Sequence, residues 1–123
     1  MAQSYLIFDF GTNEDSVKQA RLRLDGWRQA FHLTKKLEYN IERKAGEKPK
    51  DPENIRFVVR LVFSDHEKLS HQRWLDRIPI EPPFKDVEAK IARQGESDFA
   101  SAAELFDSLD TAARVNDGSG RTR

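Results

Sequence analysis

The sequence predicts an α+β domain, a two-layer sandwich in the order β-α-β-β-α with two further helices at its C-terminal end. Three observations predict it. Apolar residues alternate with polar ones from Leu37 to Glu42, and Ile55, Phe57, Val59, Leu61 and Phe63 alternate with Arg56, Val58, Arg60 and Val62, which is the period of a strand. They recur at helical spacing through Val17, Ala20, Leu24, Trp27 and Phe31, and again through Phe99, Ala102, Phe106, Leu109 and Ala113. The two alternating segments also pair in a single register that satisfies both faces at once.

The 123 residues, 37% hydrophobic and 34% charged, suffice for one core and fall short of two ordinary domains. The absence of cysteine excludes a thiol nucleophile, a cysteine-rich zinc site and a disulfide scaffold. No apolar run approaches the roughly 20 residues of a membrane-spanning helix, and the opening MAQSYLIFDFG lacks a basic start and a cleavage site. A cytoplasmic protein that does not enter membranes is therefore expected. Twenty-one lysines and arginines balance 21 aspartates and glutamates, so no bulk charge draws the chain to nucleic acid.

In chain order, Ser4 to Phe10 is rich in Tyr, Leu, Ile and Phe and ends at Gly11, so it reads as a buried strand. Thr12 can cap the helix that follows, with Asp15 completing a capping-box variant, and the apolar stripe carries this helix nearly to Lys36. Gly26 interrupts good helix formers, which suggests a close approach to the sheet. After the second strand, Lys44 to Asn54 holds one glycine, two prolines and six charges, and reads as a solvated, mobile loop. Setting Glu42 opposite Arg56 and Glu38 opposite Arg60 also sets Ile41 on Phe57, Tyr39 on Val59 and Leu37 on Leu61. An antiparallel hairpin follows. Ser64 and Glu67 form a capping box opening a helix that stops before Pro79, and Ile78 to Pro83 reads as extended. Phe84, Val87 and Ile91 predict a short amphipathic helix broken by Gly95, then comes the last helix from Ser97. Beyond Val115 no apolar anchor remains, so the domain is expected over 1–114, with 115–123 a disordered tail. By architectural analogy the order resembles a ferredoxin-like fold without its last strand, for which the segment around Ile80 is a candidate.

Few residues carry chemistry. The string LIFDFGTN from Leu6 to Asn13 resembles the first phosphate motif of the actin, heat-shock chaperone and sugar-kinase superfamily, which implies backbone N–H groups meeting a nucleotide phosphate. That superfamily has two large domains and a second strand after the glycine, whereas this chain is small and a helix follows Gly11. Glu14 and Asp15 moreover occupy the positive end of that helix. His66 and His71 are five apart and diverge around a helix, so they do not share a metal, and with His32 they read as surface residues. Asp9, His66 and His71 would be the residues of a catalytic pocket between the sheet and the C-terminal helices, but no recognisable grouping supports catalysis, a metal or a cofactor.

Two contact surfaces remain. One sheet face carries Tyr5, Ile7, Val58 and Val62 with Arg56 and Arg60 at the rim, an apolar patch ringed by charge. Residues 94–123 hold six acids and three bases, so an acidic C-terminal helix is available to cover that face. The leading expectation is a non-enzymatic protein that works through protein contacts, most readily as a homodimer joined at this face or by an open strand edge. The alternative is a nucleic-acid-binding module using Lys18, Arg21, Arg28 and Lys35 on the first helix.

Overall fold

The computed structural model describes residues 2–44 and 53–109. Strand β1 (Ala2–Gly11) leads into helix α1 (Glu14–Ala30), followed by the hairpin strands β2 (Leu37–Lys44) and β3 (Asn54–Phe63). Helix α2 (Lys68–Arg77), strand β4 (Ala89–Arg93) and helix α3 (residues 99–109) complete the order. The four strands form one open antiparallel sheet arranged β2-β3-β1-β4. Most of the expected mobile loop, the end of the last helix near Ala113 and the tail lie outside the described residues.

The hairpin has the register that the sequence predicts, with Glu38 opposite Arg60, Asn40 opposite Val58 and Glu42 opposite Arg56. Arg56 donates to Glu42 at 2.5 Å, and Arg60 pairs with Glu38. β1 inserts between β3 and β4 because its two faces are both apolar, as a central strand requires. Its even-numbered side chains Leu6, Phe8 and Phe10 join Ile55, Phe57, Val59 and Leu61 in the main core, under α1 and α2. Aromatic contacts bind that layer: Phe8 lies 4.8 Å from Phe84, Phe10 meets Phe57 edge-on at 5.5 Å, and Trp27 meets Trp74 at 5.4 Å. The odd-numbered side chains of β1 face α3.

Five expectations are corrected. Asn13, not Thr12, caps α1, its side chain accepting the Ser16 N–H at 3.1 Å. α1 stops at Ala30 because His32 adopts φ 55° and the Leu33 N–H returns to the Arg28 carbonyl at 2.8 Å, a closing turn that ends the helix before Lys36. Ile78–Ile80 is a 3-10 turn running on from α2, not an extended fourth strand. Phe84–Asp86 is a 3-10 turn as well, while Ala89–Arg93 is the fourth strand, paired from Ser4↔Arg93 to Phe8↔Ala89. An isolated short helix is marginal, and the open edge of β1 offers this segment backbone partners it would otherwise lack. One C-terminal helix thus stands among the described residues where two were expected. Finally, Gly26 does not approach the sheet: it lies on the exposed side of α1.

Candidate functional site

The sheet face predicted as an interface is covered within the chain. α3 lays Ala102 and Phe106 on Tyr5, Val58 and Ala92, leaving Tyr5 1% and Val58 0% exposed. Tyr5 stands between Phe99 at 5.4 Å and Phe106 at 5.7 Å. Polar contacts hold the same helix: Asn40 donates to the Phe106 carbonyl at 3.0 Å, and the Arg60 guanidinium lies 4.4 Å over the Phe106 ring. Arg60 is thus committed to Glu38 and Phe106, and Arg56 to Glu42. Ile7 and Arg56 line a cavity of about 200 Å³ under α3 with Lys90, Asp98, Ser101 and Leu105. Val62 remains half-buried near the end of the sheet. Tyr5 and Val58 are therefore packed by α3, where the sequence offered a second chain or this helix.

The basic stripe is divided. Lys18 and Arg21 are exposed on α1, but Arg28 donates to the Thr34 carbonyl at 3.1 Å and lies 3.9 Å from Asp25. Lys35 sits in the turn beyond the helix end, off the stripe. Asp9 closes its own turn by accepting the Gly11 N–H at 2.8 Å, with Gly11 at φ 59°, so the phosphate-like string serves to end β1. Asp9 and His71 lie on opposite sides of the sheet, and the expected catalytic grouping does not form. His71 is half-buried against Phe63 at 5.7 Å, not on the open surface; burial and then the nearby Arg93 charge hold its imidazole below the ordinary value. Among the described residues no group of three or more His, Cys, Asp or Glu is placed to hold a metal ion. No helix there is long and apolar enough to cross a membrane.

What stands open is the outer face of the α1–α2 layer. Leu22 is 74% exposed and Phe31 49%. A groove of about 470 Å³ runs between α1 and the segment after α2, lined by Gln19, Leu22, Arg23, Gly26, Trp27 and Pro82. Beside it a cleft of about 350 Å³ is walled by Phe31, Trp74, Lys36, Arg73 and Arg77, with Phe63 and Glu67 also lining it. Arg77 joins the two, its guanidinium 5.1 Å from Trp74, 5.4 Å from Phe31 and 5.6 Å from Trp27. Glu81 steadies the junction at 3.8 Å from Arg23 and 3.9 Å from Arg77. In the cleft Lys36 pairs with Glu67, whose carboxyl falls to about 2 through that bond and through Ser64. Trp, Phe and Arg at the centre with charge at the rim is the composition of binding surfaces.

Two residues in the sequence could have signalled this face, and only Gly26 was read as unusual. Leu22 stands two residues before Leu24, on the far side of the helix from the buried stripe. Gly26 was the other, and its reason was misread. Arg73, Arg77 and Pro82 carry no period or motif, and only folding brings them to α1. Compared with protein-family models the chain matches none, and it matches no curated protein.

Proposed function

We propose that this chain is a non-enzymatic cytoplasmic protein that works through contacts with another protein, and that the contacting surface is the outer face of α1 and α2. The observation that carries this reading is the exposure of Leu22 in the groove and of Phe31 in the adjoining cleft, with Arg23 and Arg77 lying over the ring of Trp27 between them. A second copy of the chain is one candidate partner, in line with the expected homodimer but meeting through the helices and not through the sheet. The strand order β2-β3-β1-β4 supports reading the fold as ferredoxin-like, an analogy that carries no function by itself.

Nucleic acid is the second reading, favoured by Lys36, Arg73 and Arg77 around Phe31 in the cleft. Against it, Arg77 stands over the rings of Phe31 and Trp74, where a base would stack.

A photo-crosslinking residue placed at Leu22, at Phe31 and, as a control on the opposite layer, at Glu104 tests the reading in cells. Protein adducts at Leu22 and Phe31 but not at Glu104 are expected. Adducts with nucleic acid alone, or none at any position, would overturn it. Light scattering on the purified chain and on Leu22→Asp then separates self-association from a different partner.

A further inference from the structure

Gly26 has no reason within its own chain. It sits in the interior of α1, where glycine is the least favourable residue short of proline. Its backbone is ordinary right-handed helix, for the positive-φ glycines are Gly11 and Gly95. A Cβ built on it would meet nothing within 4 Å, so no neighbouring side chain or strand needs its smallness. What its smallness does create is the floor of the groove, one helical turn from Leu22 on the same face.

Along the stretch that holds that floor cations outnumber acids, while at the groove itself Glu81 stands 3.8 Å from Arg23. From Lys18 to Lys36 the chain carries six cations, Lys18, Arg21, Arg23, Arg28, Lys35 and Lys36, against the single acid Asp25. Arg23 lines the groove itself, 42% exposed at its side chain. The apolar part of the groove is shaped for a side chain, while the flanks attract negative charge.

Resting on the protein-contact reading above, we propose that the Gly26 groove receives an acidic amphipathic segment of a partner protein, one bulky apolar side chain of which sits over Gly26 while its acids face Arg23 and Lys18. A bare polyanion would satisfy the cations and leave Leu22, Gly26 and Pro82 without a partner. An uncharged segment would fill the groove and leave exposed Lys18, and Arg23 beyond its 3.8 Å contact with Glu81, without further anionic contact. Only a segment with both features uses the whole surface.

The test is selection of the full chain against a displayed library of random peptides of about 16 residues, some four helical turns. Enriched peptides are then titrated against the wild type, Gly26→Leu, Gly26→Gln and Arg23→Glu, with a single-stranded oligothymidylate measured in parallel. Enriched sequences are expected to carry acids flanking Leu, Phe or Met. Their affinity is expected to fall about tenfold or more in Gly26→Leu, the loss that overpacking a filled site brings, and to fall in Arg23→Glu. Both Gly26 variants are good helix formers with open space around the new Cβ, so each gives the same readout if the other folds poorly. Basic or neutral peptides with the same Gly26 dependence would overturn the acidic class and leave the protein-contact reading standing. Oligothymidylate binding that depends on Gly26, without peptide enrichment, would overturn both. Peptides indifferent to Gly26 would overturn the groove.

Discussion

His32 is the residue at which the first helix is decided. A non-glycine residue in the left-handed region costs roughly 1–2 kcal/mol, and the turn that ends α1 places His32 there at φ 55°. The gain is the Leu33 N–H bond to the Arg28 carbonyl and the burial of Leu33 beneath the helix. His32→Gly is therefore expected to stabilise the fold by about 1 kcal/mol, read as a higher midpoint in urea; a lower midpoint would mean that the histidine side chain has a role in the native state. His71 sets a pH dependence of known sign. Burial, then the Arg93 charge, depress its folded value below 6.5, so the unfolded chain takes up that proton first as pH falls. The stability that neutral His71 contributes is complete above 6.5 and is lost as pH drops from there towards its folded value. Melting temperatures at neutral and mildly acid pH should fall further apart in the wild type than in His71→Asn. Equal slopes would show that His71 does not carry the effect.

Helix α1 serves two surfaces, and its glycine separates them. Val17, Ala20, Leu24 and Trp27 give the buried side, while Leu22 and Gly26 lie on the other. Gly26→Ala is expected to stabilise the folded chain by about 1 kcal/mol, because alanine gains helix propensity and its methyl meets no atom. A thermal melt checks it: a destabilised variant would reveal a contact on that face. The elements themselves were largely legible where periodicity was long. β3 with its five alternating apolar residues, α1 with its four-turn stripe, and the Glu38–Arg60 and Glu42–Arg56 pairs all follow from spacing alone. β4 was not legible, because Phe84, Val87 and Ile91 fall at helical spacing by coincidence and pairing with β1 overrides so short a pattern. The candidate groove was legible only as two oddities, an outward leucine and a helical glycine. Its remaining wall, Pro82 with Arg77 and Trp74 beyond, comes from a segment far along the chain, which only the fold brings near.

For the whole molecule, the decisive feature is that α3 turns an open sheet into a covered one. Without α3, Tyr5, Val58 and Ala92 would form an apolar face on the central strands, the kind of surface that associates. With it, the large exposed apolar side chains among the described residues are Leu22, Phe31, Leu69 and Ile80, all on α1, α2 or the turns that follow them. On the proposed reading, contacts with a partner would then fall to the helices and not to the sheet. Val58→Asp tests this arrangement directly. Val58 has no exposed surface and packs within the cluster of Tyr5, Ala102 and Phe106, so a carboxylate there loses its water without gaining a partner. A loss of about 3 kcal/mol or more is expected, with α3 released and the protein prone to associate, while Val62→Asp, half-buried near the sheet end, costs much less. Urea midpoints and light scattering on the two variants separate the cases. Should Val58→Asp fold with an unchanged midpoint, α3 does not cover the sheet, and the sheet face regains its claim as the contact surface.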